Sequence, residues 1–155
     1  MSDIPGVKNY RILLSAILAL SFALAVSARA DSSWQTDYKN AQEQAKTAHK
    51  LLLVDFTGSD WCGWCKRLTA EVFSKPEFQD YATKNLVLLE VDFPRRKPQS
   101  DAIKKQNEKL AEEYQIQGFP TIIVLNGEGK KVGELGYIPG GASAFIAQLE
   151  KLRKG

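Results

Sequence analysis

Cys62 and Cys65 are the only cysteines in a chain of 155 residues, and they lie three apart in Trp61-Cys62-Gly63-Trp64-Cys65-Lys66. A Cys-x-x-Cys that opens a helix puts the first sulfur at the helix end. There the unpaired backbone N–H groups and the dipole favour a thiolate, and the second sulfur lies one turn deeper. Attack of the outer thiolate on a foreign disulfide, followed by attack of the inner thiol on the mixed disulfide, is the chemistry this spacing allows. A structural staple is the competing reading. Closing so short a loop constrains the unfolded chain very little, which argues for exchange. Lys66 and Arg67 follow within about a turn and add positive potential near Cys62, the expected nucleophile; Cys65 is the expected resolving sulfur.

The elements that must position this pair can be read on either side of it. Leu51-Leu52-Leu53-Val54-Asp55-Phe56 is a continuous apolar run of strand length, as expected for a strand buried on both faces. Asp55 breaks that run. An ionised, unpaired carboxylate there costs several kcal/mol, so it is expected to carry a raised pKa or to have a purpose. After the loop Thr57-Gly58-Ser59-Asp60, the spacing of Trp61, Cys65, Leu68 and Val72 predicts a helix with these residues on its inner face. Lys75-Pro76 ends it, and Ser74-x-x-Glu77 resembles a capping box for a new helix reaching about Lys84.

Leu86 to Val91 is a second strand, parallel to the first through the helical crossover, which places the cysteines at the carboxyl end of the first strand. Phe93-Pro94-Arg95-Arg96-Lys97-Pro98 is a basic loop, either solvated or facing an acidic partner. Further helices are expected over 37–49, about 100–114 and about 142–152. Thr121 to Leu125 and Lys131 to Leu135 form an antiparallel hairpin around Asn126-Gly127-Glu128-Gly129. His49, the only histidine, falls at the end of the first of these helices as a solvated cap and not as a ligand or base.

Lys8 and Arg11 precede the run Ile12 to Val26, which ends at Ala28-Arg29-Ala30, the pattern of an export signal cut after Ala30. The run is interrupted by Ser15 and Ser21 and falls short of the ~20 apolar residues that span a bilayer. Residues 1–30 are thus expected to be a signal peptide and 31–155 one domain in the periplasm or secreted. Removing Lys8, Arg11, Arg29 and Asp3 takes +2 from the net charge of +3, leaving about +1 for the mature chain. A nucleic-acid partner has no electrostatic support in that balance.

From Val54-Asp55-Phe56 through Trp61-Cys62-Gly63-Trp64-Cys65-Lys66 to Gly118-Phe119-Pro120-Thr121, the chain resembles the thioredoxin family, most of all its exported bacterial members. The resemblance implies an α/β thioredoxin fold, a mixed central sheet of four to five strands with helices on both faces. It implies that Pro120 follows a cis peptide bond beside the disulfide, that Phe119 offers backbone groups to an extended substrate, and that Gly136 flanks the groove. Asp55 corresponds to the buried acid that exchanges a proton with Cys65, Lys66 tunes the thiolate, and Trp61, Gly63 and Trp64 belong to the substrate surface. Three features depart from the family pattern. The loop from Asp55 to Cys62 is one residue longer than in thioredoxin itself. The lysine that partners the buried acid has no counterpart in the strand Leu86 to Val91, where Glu90 stands, and Trp64 replaces the usual proline.

The functional expectation is a periplasmic thiol–disulfide oxidoreductase, a reductase rather than an oxidase. It needs no cofactor, works as a monomer on exported proteins carrying thiols or disulfides, and is kept reduced by a membrane electron donor. A different class of reading is a binding module that uses the groove around Trp61, Trp64 and Phe119 to hold a peptide or Cu(I).

Overall fold

The apolar run at Leu51 becomes strand β1 (Leu51–Thr57), and the rest of the sheet is built outward from it. The structure, a computed structural model, describes residues 34–155; the export signal expected over 1–30 lies outside them. On one side β1 pairs in parallel with β2 (Leu86–Asp92). On the other it pairs antiparallel with β3 (Thr121–Leu125), which continues antiparallel to β4 (Lys131–Leu135). The order β2-β1-β3-β4 makes a mixed four-stranded sheet with β1 inside it.

Both faces of β1 are covered, which explains why its sequence does not alternate. Leu53, Leu88, Ile122 and Val124 pack on one face beneath α2 (Gly63–Leu68), α3 (Pro76–Asn85) and α5 (Gly141–Lys154). Leu52, Val54, Phe56, Leu89 and Ile123 pack on the other beneath α1 (Tyr38–Ala48) and α4 (Asp101–Glu113). Asp37 and Ser100 cap α1 and α4 by accepting from the N–H groups of Asn40 and Ile103, so the ranges expected from sequence include the caps. His49 ends α1 exposed in the left-handed conformation, its N–H directed at the Ala45 and Lys46 carbonyls. Among the described residues, no helix is long and apolar enough to cross a membrane.

Two local expectations are corrected. The helix after Cys62 is not uniform: α2 gives way to a π-helical turn over Thr69–Phe73, and Thr69 Oγ1 donates to the Cys65 carbonyl at 3.1 Å. Ser74 and Glu77 form no capping box. Ser74 donates backward to the Ala70 carbonyl and Glu77 accepts from Ser143 on α5, so α3 starts on Pro76 without a side-chain cap.

The face under α2 is filled by aromatic rings. Phe145 is fully buried, with its ring 5.7 Å from Phe73 and 6.2 Å from Phe78. Phe145→Ala is expected to cost about 3–5 kcal/mol, read as a lower urea midpoint at unchanged slope.

Candidate active site

β1 delivers the chain to a turn fastened at three points before the first cysteine. The N–H groups of Trp61 and Cys62 both donate to the Gly58 carbonyl, at 3.1 and 2.8 Å. The Asp60 carboxylate accepts from the backbone N–H groups of Arg95, Arg96 and Lys97, the shortest of these bonds being 2.7 Å. Those bonds, led by the one from Arg95, hold the Asp60 carboxyl below the usual range. The Trp61 indole N–H donates to the Phe93 carbonyl at 2.9 Å, and the Arg95 guanidinium lies 3.9 Å over its ring. Gly58 is required by this packing, since a Cβ there would come within 2.5 Å of the indole.

Cys62 and Cys65 are joined as a disulfide with Cα atoms 5.3 Å apart. Cys62 is also the N-cap of α2: the Cys65 N–H donates to Cys62 Sγ at 3.2 Å. Cys62 retains 6% exposure and Cys65 3%, so both residues are buried and the first is the less so. Gly63 faces open space. Trp64 is 54% exposed and leans on Tyr137 with ring centroids 5.1 Å apart. Trp61 differs from its expected place on the helix face. It precedes α2 and packs edge-on against Phe119 at 5.9 Å, because the Gly58 turn ends only at Cys62.

Of the two cations expected to prime Cys62, Arg67 is committed elsewhere, paired with Glu71 at 2.8 Å and set between Trp64 and Tyr137. Lys66 donates to the Asp60 carbonyl at 3.1 Å, which ties it to the turn. The Phe119–Pro120 peptide bond is cis, and Phe119 stacks on Phe93 with centroids 5.2 Å apart. Gly136 follows β4 beside this segment, where a Cβ would lie 3.8 Å from the Pro120 carbonyl.

Asp55 is buried in β1, with Oδ1 lacking any hydrogen-bond partner. Strand register sets Glu90 opposite it, and alternation puts Asp55, Glu90 and Asp92 on the sheet face that α2 covers. Burial first, then the charges of Glu90 and Asp92, push the Asp55 carboxyl up to about 8. Glu90 is raised by burial and by Asp92, with Lys97 opposing. Asp92 is satisfied by the Ser59 N–H at 2.8 Å and hydroxyl at 2.6 Å, and Lys97 Nζ donates to that same hydroxyl at 3.0 Å. The acid row thus ends in the turn that carries Cys62. Sequence reasoning missed Gly58, Ser59, Asp60, Asp92 and Tyr137. The acidic turn residue Asp60 next to Trp61 was the available signal, but its donors lie 35 to 37 positions away.

Comparison with known proteins places this arrangement. Residues 38–153 match the family model described as a thioredoxin-like domain. The chain belongs to that family. This thioredoxin-like chain is 34% identical over 127 residues to the disulfide bond reductase DsbH of Chlamydia pneumoniae, covering 82% of this chain and 76% of that protein. It is 33% identical over 135 residues to the thioredoxin-related protein DsbJ of the same organism, where it covers 84% of this chain but 39% of that protein's length. The solved structure of a DsbH oxidoreductase superposes with a TM-score of 0.76 at 34% identity, covering 82% of this chain and 88% of that one.

Two outcomes test this geometry. Gly58→Ala is expected to displace the Trp61 indole and cost about 1–3 kcal/mol, seen as a changed tryptophan emission and a lower urea midpoint. Asp55 binds a proton more tightly folded than unfolded, so its contribution to stability is complete below about pH 4 and is lost as pH rises through about 8. Asp55→Asn is therefore expected to gain stability relative to the parent, increasingly so from pH 4 to 8, in urea titrations of the oxidised protein.

Proposed function

We propose that this chain is an exported thiol–disulfide oxidoreductase that reduces disulfides in other exported proteins. In this reading residues 1–30 are a cleaved signal and residues 31–155 the working periplasmic domain. The observation that carries it is the Cys62–Cys65 disulfide at the head of α2, with the Cys65 N–H on Cys62 Sγ. A donor already aimed at that sulfur stabilises it as a thiolate when the disulfide opens. The similarity to DsbH, a disulfide bond reductase, supports the same direction.

In the reduced chain, the Cys62 thiolate attacks one sulfur of a substrate disulfide and expels the other as a thiolate. Cys65 gives up its proton, attacks Cys62 Sγ, and releases the second substrate thiolate, leaving the disulfide seen here. Asp55, in the fraction that is ionised, takes the proton that leaves Cys65. Its raised pKa also means that in the oxidised chain it holds a proton near neutral pH, ready to return to Cys65 when a membrane electron donor reopens the bond. Lys66 steadies the turn that presents Cys62, and Trp61, Gly63, Trp64, Phe119, Pro120 and Gly136 form the surface along which an extended substrate segment lies. The chain acts as a monomer in this scheme.

The deciding experiment is capture. Cys65→Ala is expected to accumulate mixed disulfides between Cys62 and exported proteins, visible as adducts on non-reducing gels that dithiothreitol removes, with none in Cys62→Ser. Absence of adducts with no reduction of a test disulfide overturns the exchange reading. Biological activity retained in Cys62→Ser moves the protein to the binding class. A potential above about −150 mV reverses the direction to oxidase.

A further inference from the structure

The exchange chemistry leaves the basic loop Phe93–Pro98 unexplained. A short run of cations between two prolines is ordinarily a solvated loop, and nothing in the redox steps needs it. The structure nevertheless builds it into the rim of the site. Its backbone is fixed by three N–H groups on the Asp60 carboxylate, two residues before Cys62, and by the Phe93 carbonyl on the Trp61 indole. Arg95, Arg96 and Lys97 are all exposed on this fixed backbone. The Arg95 guanidinium carbon lies 3.9 Å from the centre of the Trp61 ring, on an exposed side chain, and Lys97 is held by the Ser59 hydroxyl. Arg96 lends only its backbone N–H to the fold, and its guanidinium has no partner among the described residues.

The nearest carboxylates offset these charges only in part. Asp60 is ionised and accepts the loop's own N–H groups, Asp92 accepts from Ser59, and Glu90 is half-buried on the sheet, which leaves three exposed cations against the one carboxylate of Asp60 at the loop itself. In a mature chain with a net charge of only about +1, the cluster is a local device and not a sample of a basic surface. We infer that this loop is a docking lip for carboxylates, selecting substrate segments that carry Asp or Glu beside the disulfide to be reduced. The planar forks of two adjacent arginines match carboxylates. Three cations are fewer than the four to eight that mark an anionic membrane patch, which favours an acidic peptide over a lipid surface.

This inference rests on the exchange reading, and one experiment separates the two. Two disulfide-bonded peptides, identical except that Asp/Glu flanking the cysteines in one are Asn/Gln in the other, are mixed with the prereduced chain and reduction is followed by rapid kinetics. The acidic peptide is expected to react about three- to tenfold faster at low salt, the scale of a few exposed ion pairs, and to lose that advantage at 0.5 M NaCl. Arg96→Glu is expected to abolish or reverse the preference while leaving the neutral peptide's rate unchanged, and Arg96→Lys to retain most of it. Equal rates for the two peptides, or a preference unaltered by Arg96→Glu, overturn the docking lip and leave exchange standing. Arg96-dependent binding to phosphatidylglycerol vesicles without any peptide preference overturns it in favour of a membrane contact. Failure to reduce either peptide removes the exchange reading and the lip with it.

Discussion

A carboxyl group buried in the central strand, with one oxygen that no donor reaches, is the constraint to which this molecule is fitted. Taking a lone ionised carboxylate out of water costs several kcal/mol, and the protein answers by keeping Asp55 protonated. That answer works only while no cation stands beside it. Strand register supplies the opposite, since Glu90 lies across from Asp55 and Asp92 follows on the same face. The result is a protonated acid on the sheet face beneath the helix that carries the disulfide. Cys65 in the proposed exchange has to lose a proton in one direction and regain it in the other, so an acid with affinity near neutral pH is useful there, whereas an ordinary carboxylate is not.

The positive charge missing from the strand returns in the loop after it. Lys97 opposes the rise at Glu90 and holds the Ser59 hydroxyl that caps Asp92. Asp60 reaches the other way, from the cysteine turn into the loop's backbone N–H groups. The turn before Cys62 and the loop after β2 are therefore one unit, locked by reciprocal contacts. A longer Asp55-to-Cys62 segment fits this arrangement, because the turn must close on Gly58 and also send Asp60 outward to the loop.

Much of this architecture was legible in sequence because it rests on local pattern. The apolar run at Leu51–Phe56, interrupted only by Asp55, has the length and composition of a strand covered on both sides, and the proline before Thr121 with the Asn126 turn marks the hairpin. The cysteine spacing marked the chemical centre for the same reason. What escaped depends on partners distant in sequence. Ser74 and Glu77 have the capping-box spacing, but Ser143 on α5 competes for Glu77 and the π-helical turn diverts Ser74. Trp61 matched the helical period of Cys65 and Leu68, yet its indole is claimed by Phe93, Arg95 and Phe119, which only the fold brings near. Arg67 looked like a thiolate partner by spacing alone, and Glu71 one turn on took its charge.

Those long-range claims divide the rim of the site into two unlike halves. Around Trp61, the ring is wedged between Phe119 and Arg95 and its N–H is used, so this half is rigid and cationic. Around Trp64, the ring is largely exposed and rests on Tyr137, while the nearby arginine is neutralised by Glu71. That half is apolar and carries little net charge. The residue that replaces proline between the cysteines thus adds contact area on one side only, and the charge lies wholly on the other. In the proposed exchange, a substrate segment crossing Cys62 would meet different chemistry at these two tryptophans, a basis for fixing chain direction as well as affinity. Direction decides which sulfur of a substrate disulfide faces the nucleophile, and hence which is released first.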